Sequence, residues 1–190
     1  MNKEIEIKVK IQDSRELEKL LAKDGKFKFE SKQMDQYYTP AHRDFMAQKP
    51  VEEWLRVRDE EGTYSINYKK FDYSNSSRAN YCEEYEIKVE SAEELKKILQ
   101  LLDFKLLTDV DKLRKCWDLG DYEIALDTVK NLGDFVEIEY KADSSSADPK
   151  KITDEMVAFL KNVGCGEITR CYRGYPSLLL FPEDPDNEVV

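Results

Sequence analysis

Three short segments of this chain repeat one pattern of charge: Glu4-Ile5-Glu6-Ile7-Lys8, Glu84-Tyr85-Glu86-Ile87-Lys88 and Glu137-Ile138-Glu139-Tyr140-Lys141. Residues two apart on an extended strand share one face. Each segment therefore sets two carboxylates and an ammonium on one side and bulky β-formers on the other. Carboxylate oxygens suit a hard divalent cation such as Mg2+ or Mn2+, and ammonium and guanidinium groups suit phosphate oxygens. Other segments share the polarity. Arg56 and Arg58 lie on one face of Trp54-Leu55-Arg56-Val57-Arg58, Lys112 and Arg114 on one face of Lys112-Leu113-Arg114, and Lys69 opposite Ile66 and Tyr68 in Ser65-Ile66-Asn67-Tyr68-Lys69. Asp127 ends a further strand-like run. Acids for metal ions and cations for a polyanion are thus carried on the same kind of face.

Helices must position these strands. Asp13 with Glu16 reads as a capping box ahead of Leu17, Leu20 and Leu21, with Gly25 as the stop. Ser91 with Glu94 reads as a second box, ahead of Leu95, Ile98, Leu99 and Leu102. Asp148-Pro149 reads as an N-cap followed by a first-turn proline, ahead of Ile152, Met156, Phe159 and Leu160, and Gly164 closes that helix. Strands are expected after each helix, at 34–38, 110–117 and 167–172, and between them at 54–58, 63–71 and 122–127. Residues 71–80 and 143–147 read as loops, and the acidic tail 182–190 as disordered. The apolar helix stripes must be buried, and the apolar strand faces are their natural partners. The charged faces then point away from the helices. A closed barrel would turn them inward, where a water-filled tunnel avoids the several kcal/mol per ion that dry burial costs. An open sheet with a solvated, salt-bridged face satisfies the same spacing.

Composition narrows the function classes. With 190 residues and a formal net charge of −10, the chain is expected to be one domain that binds neither nucleic acid nor an anionic membrane broadly. No apolar run approaches spanning length, and the start reads into a strand with no signal peptide. The four cysteines form no C-x-x-C pair and the single histidine, His42, cannot build a His-rich metal site. A reducing cytoplasm is the expected location. No G-x-x-x-x-G-K-[ST] or G-x-G-x-x-G loop is present, so phosphate binding must rest on the strand cations.

The motifs resemble the CYTH superfamily, also called triphosphate tunnel metalloenzymes, and most of all its class IV adenylate cyclase branch. The resemblance rests on Glu4, Glu6 and Lys8; on Gln33-Met34-Asp35-Gln36-Tyr37-Tyr38; on Leu55-Arg56-Val57-Arg58; on Tyr68-Lys69; on Glu84-Tyr85-Glu86; on Lys112-Leu113-Arg114; and on the run from Leu126-Asp127 to Glu139. It implies an α+β fold over residues 1–181: an eight-stranded antiparallel β-barrel forming a triphosphate tunnel, with helices packed outside. It implies that Glu4, Glu6, Glu137 and Glu139 bind Mg2+ or Mn2+. It implies that Lys8, Arg56, Arg58, Lys69, Lys112 and Arg114 bind the triphosphate, and that Asp127 and Lys8 serve the chemical step. Glu84, Glu86 and Lys88 are additional candidates, with pairing to neighbouring cations as their structural reading; Asp35 and Tyr37 read as structural. Three activities are compatible: cyclisation of ATP to cyclic AMP and pyrophosphate; hydrolysis of tripolyphosphate, thiamine triphosphate or a nucleoside triphosphate, with a carboxylate or a lysine of lowered pKa as base; and non-catalytic binding of a polyphosphate or nucleotide. The partner is ATP or another triphosphate, and a homodimer is implied by the cyclase-branch resemblance alone.

Overall fold

The computed structural model describes residues 5–73, 81–142 and 148–190, with only the main chain of Tyr81. Glu4 and most of the two expected loops, 74–80 and 143–147, lie outside the described residues. The elements in order are β1 (Glu6–Ile11), α1 (Arg15–Asp24), β2 (Lys26–Pro40), β3 (Glu53–Glu60), β4 (Thr63–Asp72), β5 (Tyr81–Val89), α2 (Ala92–Leu101), β6 (Phe104–Leu119), β7 (Tyr122–Val129), β8 (Gly133–Tyr140), α3 (Pro149–Val163), β9 (Ile168–Cys171), α4 (Tyr175–Leu180) and β10 (Asn187–Val189). The chain divides into two compact units. The first comprises 1–31, 112–174 and 183–190, the second 32–111 and 175–182.

Strand order in the first unit is β10-β9-β1-β8-β7 and the 112–119 part of β6, and in the second the 32–40 part of β2 followed by β3-β4-β5. Neighbours within each unit pair antiparallel. The α+β class holds, with four helices beside antiparallel sheet. The described residues make ten strands where eight were expected, and neither unit closes its own sheet. The tail departs from expectation: Asn187–Val189 pair with β9, and the Val190 amide donates to the Ile168 carbonyl at 3.1 Å. A free strand edge offers backbone partners whatever the side-chain charge, which is why acidic composition misread this segment.

Burial follows the period-two pattern. In the first unit Ile7, Val9, Ile124, Leu126, Val136 and Ile138 pack with Leu17 and Leu21 of α1 and Ile152, Met156 and Leu160 of α3. In the second, Ala92 and Leu99 of α2 pack with Tyr38 and Val57. The α2 stripe is narrower than its spacing suggests, since Ile98 and Leu102 are 53% and 60% exposed. That helix rests on β3, so only the residues aimed at the strand are covered.

The helix ends show which local signals were sound. The Asp13–Glu16 box does not form. Ser14 is the N-cap of α1, its hydroxyl donates to Glu18 at 2.7 Å, and Asp13 instead accepts the Arg15 amide at 2.9 Å. Ser91 does accept the Glu94 amide, at 3.2 Å. Asp148 accepts the amides of Lys150 and Lys151 at 3.0 and 3.4 Å, and Gly164 ends α3 at φ 89°, where a side chain would be strained. Replacing Asp148 with alanine strands two amides and should cost about 1 kcal/mol. A thermal melt should register this as a fall of about 2–4 °C; an unchanged midpoint would remove the cap.

Candidate functional site

Strand alternation gives the first unit one charged face. On β1 and β8, Glu6 stands opposite Glu139 and Lys8 opposite Glu137; on β6 and β7, Arg114 stands opposite Asp127. The opposite face of β1, β7 and β8 is the one buried with α1 and α3. Within this unit, then, the charges do point away from the helices.

Five of the expected residues meet in one network. Lys8 Nζ lies 3.1 Å from Glu137 Oε1, and Arg114 Nη2 donates to the other oxygen of Glu137. Arg114 also grips Asp127, with Nε to Oδ1 at 2.7 Å and Nη2 to Oδ2 at 2.5 Å, while Lys112 Nζ reaches the same Oδ2 at 3.0 Å. Asp127 is only 1% exposed and Lys112 only 4%. Asp127 thus faces its cations rather than solvent.

The charges stabilise one another. Burial pushes the Asp127 carboxyl up, but the hydrogen bonds from Arg114 and the charges of Lys112 and Arg114 outweigh it and leave it below the ordinary aspartate value. Burial likewise opposes ionisation of Glu137, yet Lys8, Arg114 and Lys112 hold it well below the ordinary glutamate range. For Lys8, burial disfavours the ammonium, and Glu137 and Glu6 overcome that and raise its pKa. Lys8 is thus held as a cation by Glu137 and Glu6.

The second unit repeats the theme. Arg58 grips Asp35, with Nε to Oδ1 at 2.6 Å and Nη2 to Oδ2 at 2.7 Å. Arg56 lies 3.6 Å from Asp35 and 3.1 Å from Glu86, and Lys69 lies 2.9 Å from Glu84. Lys88 is exposed and stands opposite Ser65. Glu84 and Glu86 each pair with a neighbouring cation. Sequence reasoning missed Asn67, which is 2% exposed and donates to Glu84 at 2.7 Å and Glu86 at 2.9 Å. The signal was present: Asn67 shares the polar face of β4 with Ser65 and Lys69.

Metal donors are present in kind. Among the described residues no three Asp, Glu, His or Cys side chains stand together ready to ligate an ion. Yet Glu6 faces Glu139 across β1 and β8, and Glu139 faces Glu123 across β8 and β7. Like charges directly opposite one another destabilise a sheet. Lys141, 2.9 Å from Glu139, offsets part of this. Carboxylate oxygens are the donor type that Mg2+ or Mn2+ takes.

Comparison with known proteins places this architecture. A protein of Methanocaldococcus jannaschii named Putative adenylate cyclase MJ0240 is 38% identical over 162 residues, 83% of this chain and 87% of its own. The structure of PH1819 protein from Pyrococcus horikoshii OT3 matches with a TM-score of 0.73 at 25% identity, over 95% of this chain and 99% of its own. The structure of HpAC1 from Hippeastrum, described as a putative adenylyl cyclase with a dominant triphosphatase activity, matches with a TM-score of 0.63 at 17% identity, over 95% and 96%. Residues 2–175 match the CYTH domain, and with nearly the whole chain covered, the protein belongs to the CYTH family.

Proposed function

We propose that the protein is a metal-dependent enzyme acting on a triphosphate, and that its reaction is the class IV type of adenylate cyclisation, ATP to cyclic AMP and pyrophosphate. The observation that carries the reading is the first unit's network, in which Lys8, Lys112 and Arg114 are held as charged groups on one polar face by Glu137 and the buried Asp127. The 38% identity to a protein named for adenylate cyclase supports cyclisation as the outcome. The eight-stranded tunnel of the family, and a cytoplasmic location, belong to this reading.

Each residue has a role that its surroundings explain. Lys8, Lys112 and Arg114 hold phosphate oxygens; Arg56, Arg58 and Lys69 on the second unit are cations of the same kind. Charge developing on the phosphates as the ribose 3′ oxygen attacks the α-phosphorus in line, and as pyrophosphate leaves, is what such cations stabilise. Asp127 keeps Arg114 and Lys112 oriented, so nothing must reorganise during reaction. Glu6, Glu137 and Glu139, with Glu4 from outside the described residues, would hold the divalent cation. When bound, that ion supplies Lewis acidity to the phosphates and to the attacking hydroxyl.

Products decide the reaction. Pure protein incubated with Mg2+ or Mn2+ and either ATP or tripolyphosphate should yield cyclic AMP and pyrophosphate from ATP. Orthophosphate without cyclic AMP would replace cyclisation by hydrolysis at the same residues, the activity ascribed to the Hippeastrum protein of the same fold. Tight binding without turnover would make the protein a binder.

A further inference from the structure

The two units carry the same device at positions far apart in the chain. In the first, Arg114 stands in register opposite Asp127, and Lys112, two residues earlier on β6, reaches the same carboxylate. In the second, Arg58 stands in register opposite Asp35, and Arg56, two residues earlier on β3, reaches the same carboxylate. Both forks are alike atom for atom: Nε to Oδ1 at 2.7 and 2.6 Å, Nη2 to Oδ2 at 2.5 and 2.7 Å. Both aspartates are buried, at 1% and 2% exposure. In each unit a glutamate from a further strand then takes another bond from the cation pair: Glu137 from Arg114, Glu86 from Arg56.

We infer that Asp35 is a positioning residue for the triphosphate, orienting Arg58 and Arg56 as Asp127 orients Arg114 and Lys112. The inference rests on the proposed triphosphate reading. An arginine carries five N–H donors in a fixed plane. The fork to Asp35 engages two of them and fixes that plane, which sets where the remaining donors point. Arg56 Nε is buried with no hydrogen-bond partner among the described residues.

The test measures tripolyphosphate binding with Mg2+ by calorimetry, and ATP turnover, for the full chain and for D35N, R58Q and the double variant. Asp35→Asn keeps shape and loses the charged fork. Losing one charge-assisted contact predicts that Kd for tripolyphosphate, and KM for ATP, rise about tenfold while kcat stays within about threefold. Because the fork to Arg58 is the shorter of the two contacts of Asp35, at 2.6 Å against 3.6 Å to Arg56, D35N should raise Kd by a smaller factor in the R58Q background than in the wild type. Wild-type binding with an unchanged Kd in a folded D35N overturns the inference, as does a full additional loss in the double variant. Should D35N fail to fold, D35E carries the test. It keeps the charge paired but displaces the guanidinium, and an unchanged Kd there also overturns the inference. A wild type that binds neither tripolyphosphate nor ATP overturns the triphosphate reading itself and the inference with it. That outcome is read before any variant is made.

Discussion

Replacing Arg114 with alanine is expected to lower kcat/KM about a hundred- to a thousandfold and to cost the fold about 3–5 kcal/mol. Both effects come from one side chain that two carboxylates share. Arg114 makes two bonds to Asp127 and one to Glu137, and its side chain is only 19% exposed. Without it, two carboxylates remain close together with Lys112 on one and Lys8 on the other. Each then loses part of the charge that holds it ionised. Removing one partner of a buried pair is far costlier than never having built it, because the survivor stays desolvated. Urea denaturation measures the stability loss and steady-state kinetics the activity. Arg114→Lys separates them: it restores a charge but not the fork, so it should recover much of the stability and little of the rate. An R114A protein as stable as wild type would dissolve the network on which the functional reading stands.

The network also shows what the sequence made legible and what it did not. Alternation alone put Glu6, Lys8, Glu137 and Glu139 on one face, because period two leaves no freedom once a segment is a strand. The helix stripes then gave that face its direction, and the packing of Ile7, Val9, Ile124 and Ile138 with α1 and α3 bears this out in the first unit. Registers were not legible. Nothing local says that Arg58 meets Asp35 or that Arg114 meets Asp127, since pairing depends on strands distant in the chain. For that reason Asp35 read as structural and Asp127 as a group for the chemical step, although both sit in the same fork. Asn67 was missed because its neutral side chain stood out less than the charges around it. Caps depended on detail: Asp148 and Ser91 behaved as their spacing suggests, whereas Ser14 displaced Asp13 at α1. The tail failed for a reason of class, because composition describes side chains and β10 forms through the main chain.

Substituting Glu137 with glutamine should remove nearly all metal-dependent turnover, by about a hundredfold or more, and should also change how stability depends on pH. The folded protein holds Glu137 ionised well below the ordinary glutamate value of 4.5. A depressed carboxyl pKa contributes stability that is fully present above the unfolded value and is lost as pH falls through the folded one. The gap between wild type and E137Q should therefore be constant from about pH 6 to pH 9 and narrow as acid is added below 4.5. Lys8 gives the mirror image. Its pKa is raised above 10.5 by Glu137 and Glu6 against the opposing effect of burial. Its contribution is fully present below 10.5 and disappears as pH rises through the folded value, so E137Q should lose less than wild type at the alkaline end. Urea unfolding at intervals from acid to alkali reads both limbs on one pair of proteins and needs no substrate. Parallel curves through the acid range would show that Glu137 is not held as an ion by Lys8 and Arg114. A narrowing gap with turnover intact would leave the ion pair standing and take Glu137 out of the metal site, shifting that role to Glu4, Glu6 and Glu139.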